Sequence, residues 1–408
     1  MLWFKIAWRN LWRNRRRTGI QLAAISGSMF LAVFFNNLSE GMYVTMIDGG
    51  VRSGSGHIGL YHRDYLDSRR VSDTIPADRL VVEVASDPAV DKVFGRLQVP
   101  GLLRSSRDSR AAVALGIDFE AEAGTNPMLA KESIVSGGLP AGPGGILIGE
   151  ALARELQVDV GKKVVWMAQD AGGEIASRLF KVSGLIRTNV RAIDAGTVLA
   201  SRTALGEVLG RKGDAHEIAI LLARPDSAGE ALPRLRAIAG AAGSARAYPW
   251  QEAMPSLAAL IEIGNNKQRG MVFVLFALVA IGTLNTMLMS VMERTREFGM
   301  LRAIGIGKGA IRQMVVAEAF VLGLVGTAIG VVAAWLLDRY TGTKGIDFSQ
   351  AMSGDIGGIA IDPIVRTAWS WPLVSMLAAG MIALSILASL YPARWALKTR
   401  PADAMRIY

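Results

Sequence analysis

The residue types that could hold a nucleotide, a metal or a covalent intermediate are few in this chain and poorly spaced. The nearest approach to a phosphate-binding loop is G-I-G-K-G-A at residues 305–310. Such a loop needs G-x-x-x-x-G-K-[ST] after a strand, so that backbone N–H groups cradle the anion and the lysine reaches it. Here the spacing is wrong and no strand precedes it, so ATP is not bound by that route. The three histidines, His57, His62 and His216, are scattered, and a gap of five between the first two matches no metal-ligand pair on one helix face. There is no cysteine, which removes disulfides, thiolate zinc sites and thiol chemistry. No G-x-S-x-G occurs and no acid pair is singled out, so the chain is not expected to be an enzyme, with no catalytic, metal or cofactor-binding residue. Two polar residues do stand out, Asn285 and Glu318, because both lie in long apolar runs. An ionisable group inside a membrane helix costs several kcal/mol unless paired. Glu318 follows Arg312 by only six residues, which favours a structural pairing with a basic residue near the interface.

These two residues lead to the elements that carry them. Hydrophobic residues make up 51% of the 408, and they are clumped. Residues 19–38, 271–291, 314–337 and 372–391 are almost free of charge over about 20 positions, the length needed to cross ~30 Å of hydrocarbon. The net charge of +10 is also unevenly placed. Segments 1–18, 293–312 and 392–408 together hold fifteen basic residues and three acids, whereas 44–269 holds 27 basic and 26 acidic. Short basic segments beside apolar spans mark the cytoplasmic side. The charge thus speaks of topology and membrane lipids rather than nucleic acid.

The predicted fold class is an α-helical membrane protein with four transmembrane helices plus a large α+β extracytoplasmic domain between helices 1 and 2. Residues 1–18 read as a cytoplasmic amphipathic helix, with Trp3, Trp8 and Trp12 set against Arg9 and Arg13. Residues 19–43 form the first span and a stalk, retained rather than cleaved as a signal peptide. Residues 44–269 form a two-lobed domain. Spans at 270–292 and 313–337 flank a cytoplasmic loop at 293–312. An outer loop at 338–370, a fourth span at 371–391 and a tail at 392–408 complete the chain. Within the large domain, strands are predicted at 111–118, 145–148, 162–168, 179–186, 197–200 and 217–222, with helices at 150–157, 203–209 and 232–241. Residues 79–85 read as the start of a βαβ-like unit, and 247–268 as a helix returning to the second span. Gly323, Gly326 and Gly330 suit close helix packing. The loop 293–312 is too apolar for a hydrated connector. From its residues alone it reads either as a dock for a cytoplasmic partner or as a tight turn.

Three stretches carry a resemblance. They are AWRNLWRNRRRTGI (7–20), ERTREFGMLRAIGIGKGAIRQMVVAEA (293–319) and LYPARWALKTRPADAMR (390–406). The chain resembles the FtsX-like permease superfamily, the membrane subunits of type VII, mechanotransmitting ABC transporters. GHIGLYHRDYLD (56–67) and FKVSGLIRTNVRAIDAGTVLAS (180–201) are most similar to its LolC/LolE lipoprotein-releasing branch.

The resemblance implies a multi-pass protein of the bacterial inner membrane with a periplasmic domain. It also implies a separate ATPase subunit in two copies, which binds ATP and Mg, and a second permease subunit, identical or paralogous. The 293–312 loop would then be the ATPase-coupling element. Glu293, Arg294, Arg296 and Glu297 would offer charge contacts, and Phe298, Leu301 and Ile304 an apolar knob. The expected activity is extraction of lipoproteins from the inner membrane for delivery toward the outer one. Residues 187–196 are the expected place for contact with a periplasmic lipoprotein chaperone or adaptor, through Arg187, Thr188, Asn189 and Asp194. Their sequence is not distinctive. The alternatives are an efflux permease for a peptide, antibiotic or lipid, as in the macrolide exporters, and a mechanical regulator of a periplasmic cell-wall hydrolase.

Overall fold

The computed structural model describes residues 9–10, 12–188, 190–348 and 364–396. Half of the expected amphipathic helix at 1–18, much of the outer loop at 338–370 and most of the tail at 392–408 therefore lie outside the described residues. The chain divides into two compact units. One is built from residues up to Met42, Ile263–Ile346 and the part from Val365 onward, the other mainly from Tyr43–Glu262.

Among the described residues, four helices are long and apolar enough to cross a membrane. The helical elements run Arg15–Ser53, Pro255–Glu293, Lys308–Lys344 and Trp371–Ala396. At 1.5 Å per residue, the first two, of 39 residues each, reach roughly 58 Å, well beyond ~30 Å of hydrocarbon. In the first unit these helices share a core that includes Ile25, Met29, Val279, Leu322 and Met381. Glycines bring the third long helix close to two others. A Cβ on Gly326 would stand 2.7 Å from Ile25 Cγ2, and one on Gly330 2.6 Å from the Ser26 carbonyl oxygen. A Cβ on Gly323 would meet Ser385 on the fourth long helix at 2.9 Å. The small-residue spacing thus does what it does in membrane bundles, letting backbones approach.

The second unit is built on one mixed, ten-stranded sheet. Its strands are β1 (Ile58–His62), β2 (Val90–Arg104), β3 (Ser109–Ile117), β4 (Ile134–Gly137), β5 (Gly145–Gly149), β6 (Lys163–Gln169), β7 (Ile175–Ile186), β8 (Thr197–Ser201), β9 (Glu217–Leu222) and β10 (Ala245–Pro249). The order is β10-β1-β9-β2-β3-β8-β5-β7-β4, with β6 pairing β2 and β7. β3–β8 and β5–β7 are parallel and the other pairs antiparallel. The long strand β2 changes partner along its length, pairing β9 over residues 90–96 and β3 over 97–104. Two hydrophobic cores follow. One gathers Ile58, Leu80, Ile218, Ile220 and Leu235, the other Leu97, Ile146, Leu152, Trp166, Phe180 and Val198.

Two expectations need correction. Residues 79–85 belong to a helix, Ala77–Ala85. Leu80 and Val84, four apart, are both fully buried on its one apolar face, and a short apolar run cannot be told from a strand by periodicity alone. The return from 247 to 268 is not one helix. Residues 247–249 pair with β1 as part of β10, and the second long helix starts only at Pro255, where a proline suits the first helical turn.

Arg96, at the point where β2 changes partner, is buried with Glu122. Its Nε and Nη2 donate to the two Glu122 carboxylate oxygens at 3.0 and 2.7 Å, and Nη2 also donates to the Arg52 carbonyl at 2.7 Å. Nη1 donates to the Gly54 carbonyl. The guanidinium therefore satisfies carbonyls at the C-terminal end of Arg15–Ser53, where a cation is favoured by the helix dipole. Removing it would leave Glu122 as an uncompensated buried charge. Arg96→Ala is expected to cost ~3–5 kcal/mol, read as a lowered thermal midpoint of the detergent-solubilised protein. The double change Arg96→Leu with Glu122→Leu should cost less than the single one.

Candidate functional site: the 293–312 segment

The segment between the second and third long helices is itself mostly helical, Thr295–Ala303, with a turn at 304–307. Glycines shape that turn, and Gly305 has φ +100, a conformation open to glycine and strained for other residues.

One side of this short helix is folded into the first unit. Phe298 is 2% exposed and packs with Val291, Ile311, Val315 and Ala393, while Leu301 and Ile306 lie against the same cluster. Phe298 and Leu301 are therefore not an external knob. Only Ile304 keeps that role, at 81% exposed, with Met292 and Met300 also exposed nearby. Spacing explains the split. Residues 294, 298 and 301 recur at four and three along the helix and share its inner face.

The charges are arranged in the same way. Arg294 is buried, stacked at 5.1 Å over the Phe298 ring, and Nη1 donates to Glu318 Oε1 at 2.7 Å. Asn10 Nδ2 donates to the same oxygen at 2.8 Å. Arg294 Nε donates to Glu297 Oε2 at 3.1 Å, and Arg13 Nη1 donates to Glu297 Oε1 at 2.7 Å. Arg17 pairs with Glu293. Burial pushes the Glu297 carboxyl up, but the bonds from Arg294 and Arg13 outweigh it and hold it below the ordinary carboxylate value. Of the four charged residues expected to face a partner, Arg296 alone is exposed without a described ion pair. The expected pairing of Glu318 with a basic loop residue is found, with Arg294 rather than Arg312. Asn10, Arg13 and Arg17 were not among the expected site residues. They join partners 276 to 308 positions away, and no local pattern reports such a distance.

Asn285 is exposed on the second long helix, in contrast to Glu318. In the segment expected to meet a chaperone, Thr188 donates both its N–H and its hydroxyl to Asp194 Oδ1, at 2.8 and 2.9 Å, and both residues are buried. These two close a loop rather than face outward. Arg187 is exposed but forked onto Glu150, at 2.7 and 2.8 Å. Hydrogen bonds from Arg187, against a smaller effect of burial, bring the Glu150 carboxyl down to about 2. Asn189 lies outside the described residues.

Residues 269–401 match the family described as FtsX-like permease C-terminal. Over 335 residues, 79% of either chain, the sequence is 23% identical to the lipoprotein-releasing system transmembrane protein LolC of Xylella fastidiosa strain Temecula1. It is 35% identical over 126 residues to the macrolide export ATP-binding/permease protein MacB of Rhodopirellula baltica, a match covering 31% of this chain and 16% of that one. Among solved structures, the periplasmic region of MacB from Actinobacillus actinomycetemcomitans is similar at 12% identity, with a TM-score of 0.35. It covers 47% of this chain and 87% of that one.

The two faces of the short helix should respond differently to substitution. Phe298→Ala is expected to lower stability by ~3–5 kcal/mol, and Ile304→Ala by less than about 0.5 kcal/mol. Thermal denaturation of the solubilised protein would measure both.

Proposed function

We propose that this chain, whose residues 269–401 form an FtsX-like permease domain, is the membrane subunit of an ABC transporter that releases lipoproteins from the inner membrane. The observation that carries this reading is the extent of the similarity to LolC, 79% of both chains. The similarity to MacB is higher in identity but confined to about a third of this chain, as a shared permease domain would produce.

In this reading ATP is bound with Mg and hydrolysed on a separate ATPase subunit, two copies serving two permeases. The exposed surface around Arg296, Met300 and Ile304 is where that subunit would dock. The 293–312 segment lies on the cytoplasmic side, and the unit built on Tyr43–Glu262 is periplasmic. Movement imposed on Thr295–Ala303 would pass through Phe298 and the Arg294–Glu318 pair into the third long helix. Lipoprotein would be taken from the outer leaflet rather than led through a polar channel, and few polar side chains line the long helices. Each acyl CH₂ drawn from lipid costs ~0.8 kcal/mol, which is why release needs ATP. A periplasmic chaperone or adaptor would receive the cargo.

Depletion of the protein is expected to strand mature lipoproteins in the inner membrane, as read by membrane fractionation. Normal sorting with altered sensitivity to drugs or peptides would instead support the efflux reading. At the docking surface, Ile304→Asp is expected to leave folding intact and uncouple ATP hydrolysis from transport in the reconstituted complex. Coupled turnover at the unaltered rate would exclude Ile304 from the contact. Leu301→Asp would be a poorer test, because Leu301 packs against the Phe298 cluster.

A further inference from the structure

The Tyr43–Glu262 unit contains a cavity of ≈ 480 Å³ that the transport reading does not use. It lies where Gly50, Ser53 and Gly54 at one helix end and Met254–Leu257 near another meet the sheet. Its volume is in the range that takes a small organic ligand, ~300–1,000 Å³. Leu115, Met128 and Ile193 give it an apolar wall, and Glu217 and Arg69 bring opposite charges to it.

Glu217 stands directly across from Arg96 in the β9–β2 pairing. Its side chain is 3% exposed. Gln98 Nε2 donates to Oε2 at 3.3 Å, but Oε1 has no hydrogen-bond partner. Two groups come close to supplying one. Arg96 Nη1 is 4.0 Å from Oε1, too far for a bond, and it is engaged by the Gly54 carbonyl. The Tyr61 hydroxyl lies beside the carboxyl without forming a hydrogen bond of proper geometry to Oε1. A buried carboxylate oxygen left without a donor is costly, and native structures rarely retain one without a use. Arg96 gives its fork to Glu122 and stands off Glu217 at ion-pair distance only, so one cation is shared between two acids. Glu217 therefore offers Oε1 as an acceptor to whatever enters the cavity, with Arg96 its ion-pair partner at 4.0 Å. Arg69, on the exposed side, holds its guanidinium 5.4 Å over the Tyr65 ring and makes no described ion pair.

We infer that this cavity is a binding site for a small zwitterion with an apolar body. A protonated amine would donate to Glu217 Oε1, an anionic group would meet Arg69, and the apolar part would lie against Leu115, Met128 and Ile193. This site is separate from the 293–312 segment, and its existence does not depend on which cargo the transporter moves.

The test uses the full chain in detergent micelles and three probes of one shape: L-phenylalanine, 2-phenylethylamine, which lacks the carboxylate, and 3-phenylpropionate, which lacks the amine. Binding is read by calorimetry and by thermal shift. Saturable binding of L-phenylalanine is expected, with each truncated probe weaker by about tenfold or more, as for loss of one charge-assisted contact. Glu217→Gln should abolish the preference for L-phenylalanine over 3-phenylpropionate, and Arg69→Gln the preference over 2-phenylethylamine. Ile193→Trp, which leaves both charges in place and fills the space, should remove binding of all three. Folding of each variant is checked by its own melting transition. If Glu217→Gln does not fold, the probe series on the unaltered chain together with Ile193→Trp decides. No saturable binding at millimolar probe, equal affinity for the three probes, or binding unchanged in Ile193→Trp would each overturn the proposal.

Discussion

A guanidinium withdrawn from water has to be given carboxylates or carbonyls, and each unit of this chain meets that demand at one arginine. In the first unit Arg294 is surrounded by Glu318, Glu297 and the face of Phe298. In the second Arg96 is surrounded by Glu122 and the carbonyls of Arg52 and Gly54. Neither arrangement is strong evidence of stability by itself, because desolvation offsets much of the Coulombic gain. Its effect is on geometry. Arg294 can be satisfied only when the short helix, the third long helix and Glu297 are in register. Arg96 can be satisfied only when the end of Arg15–Ser53 abuts β2.

The same constraint explains how the 293–312 segment divides. Its basic character suggests a surface open on all sides. The structure turns Arg294 and Phe298 inward and ties Glu293 and Glu297 to Arg17 and Arg13. On the short helix itself the side chains left outside are Arg296, Met300 and Ile304, with Lys308 and Arg312 exposed beyond the turn. A partner that grips this patch grips a helix already bonded to the third long helix through Arg294. In the proposed transporter that bond would be the path of force, and the exposed patch the handle.

The long helices were legible because each is a run of about 20 apolar residues with basic flanks. The elements at 145–156, 163–186 and 217–222 were legible because alternation or i, i+4 spacing was clear in each. β2 was not. Pro100 and Gly101 interrupt it, and both cores lay claim to it, so its sequence has no single period. Gly101 is there because a Cβ would stand 2.5 Å from the Met167 carbonyl oxygen, a contact no local window can foresee. The candidate site was legible as a place and not as a face. Residue types located it between two spans, but which side packs inward depends on Glu318, Asn10 and Arg13, supplied from distant parts of the chain. Glu217 was invisible for the same reason, since its neighbours Arg96 and Gln98 lie on another strand.

The seating of Gly326 and Gly330 against Ile25 and Ser26 bears on how these helices deform. Two rods lying loosely side by side bend almost independently, because their facing surfaces slip past one another. Contacts in which an added Cβ would fall 2.6–2.7 Å from the opposing helix leave no room for that slip. A shift along the axis by one residue would replace a glycine hydrogen with the side chain of Thr327 or Val331. The first and third long helices therefore act as a laminated beam, stiffer against bending than the two would be apart, and a push at one end is returned as tilt rather than lost as curvature.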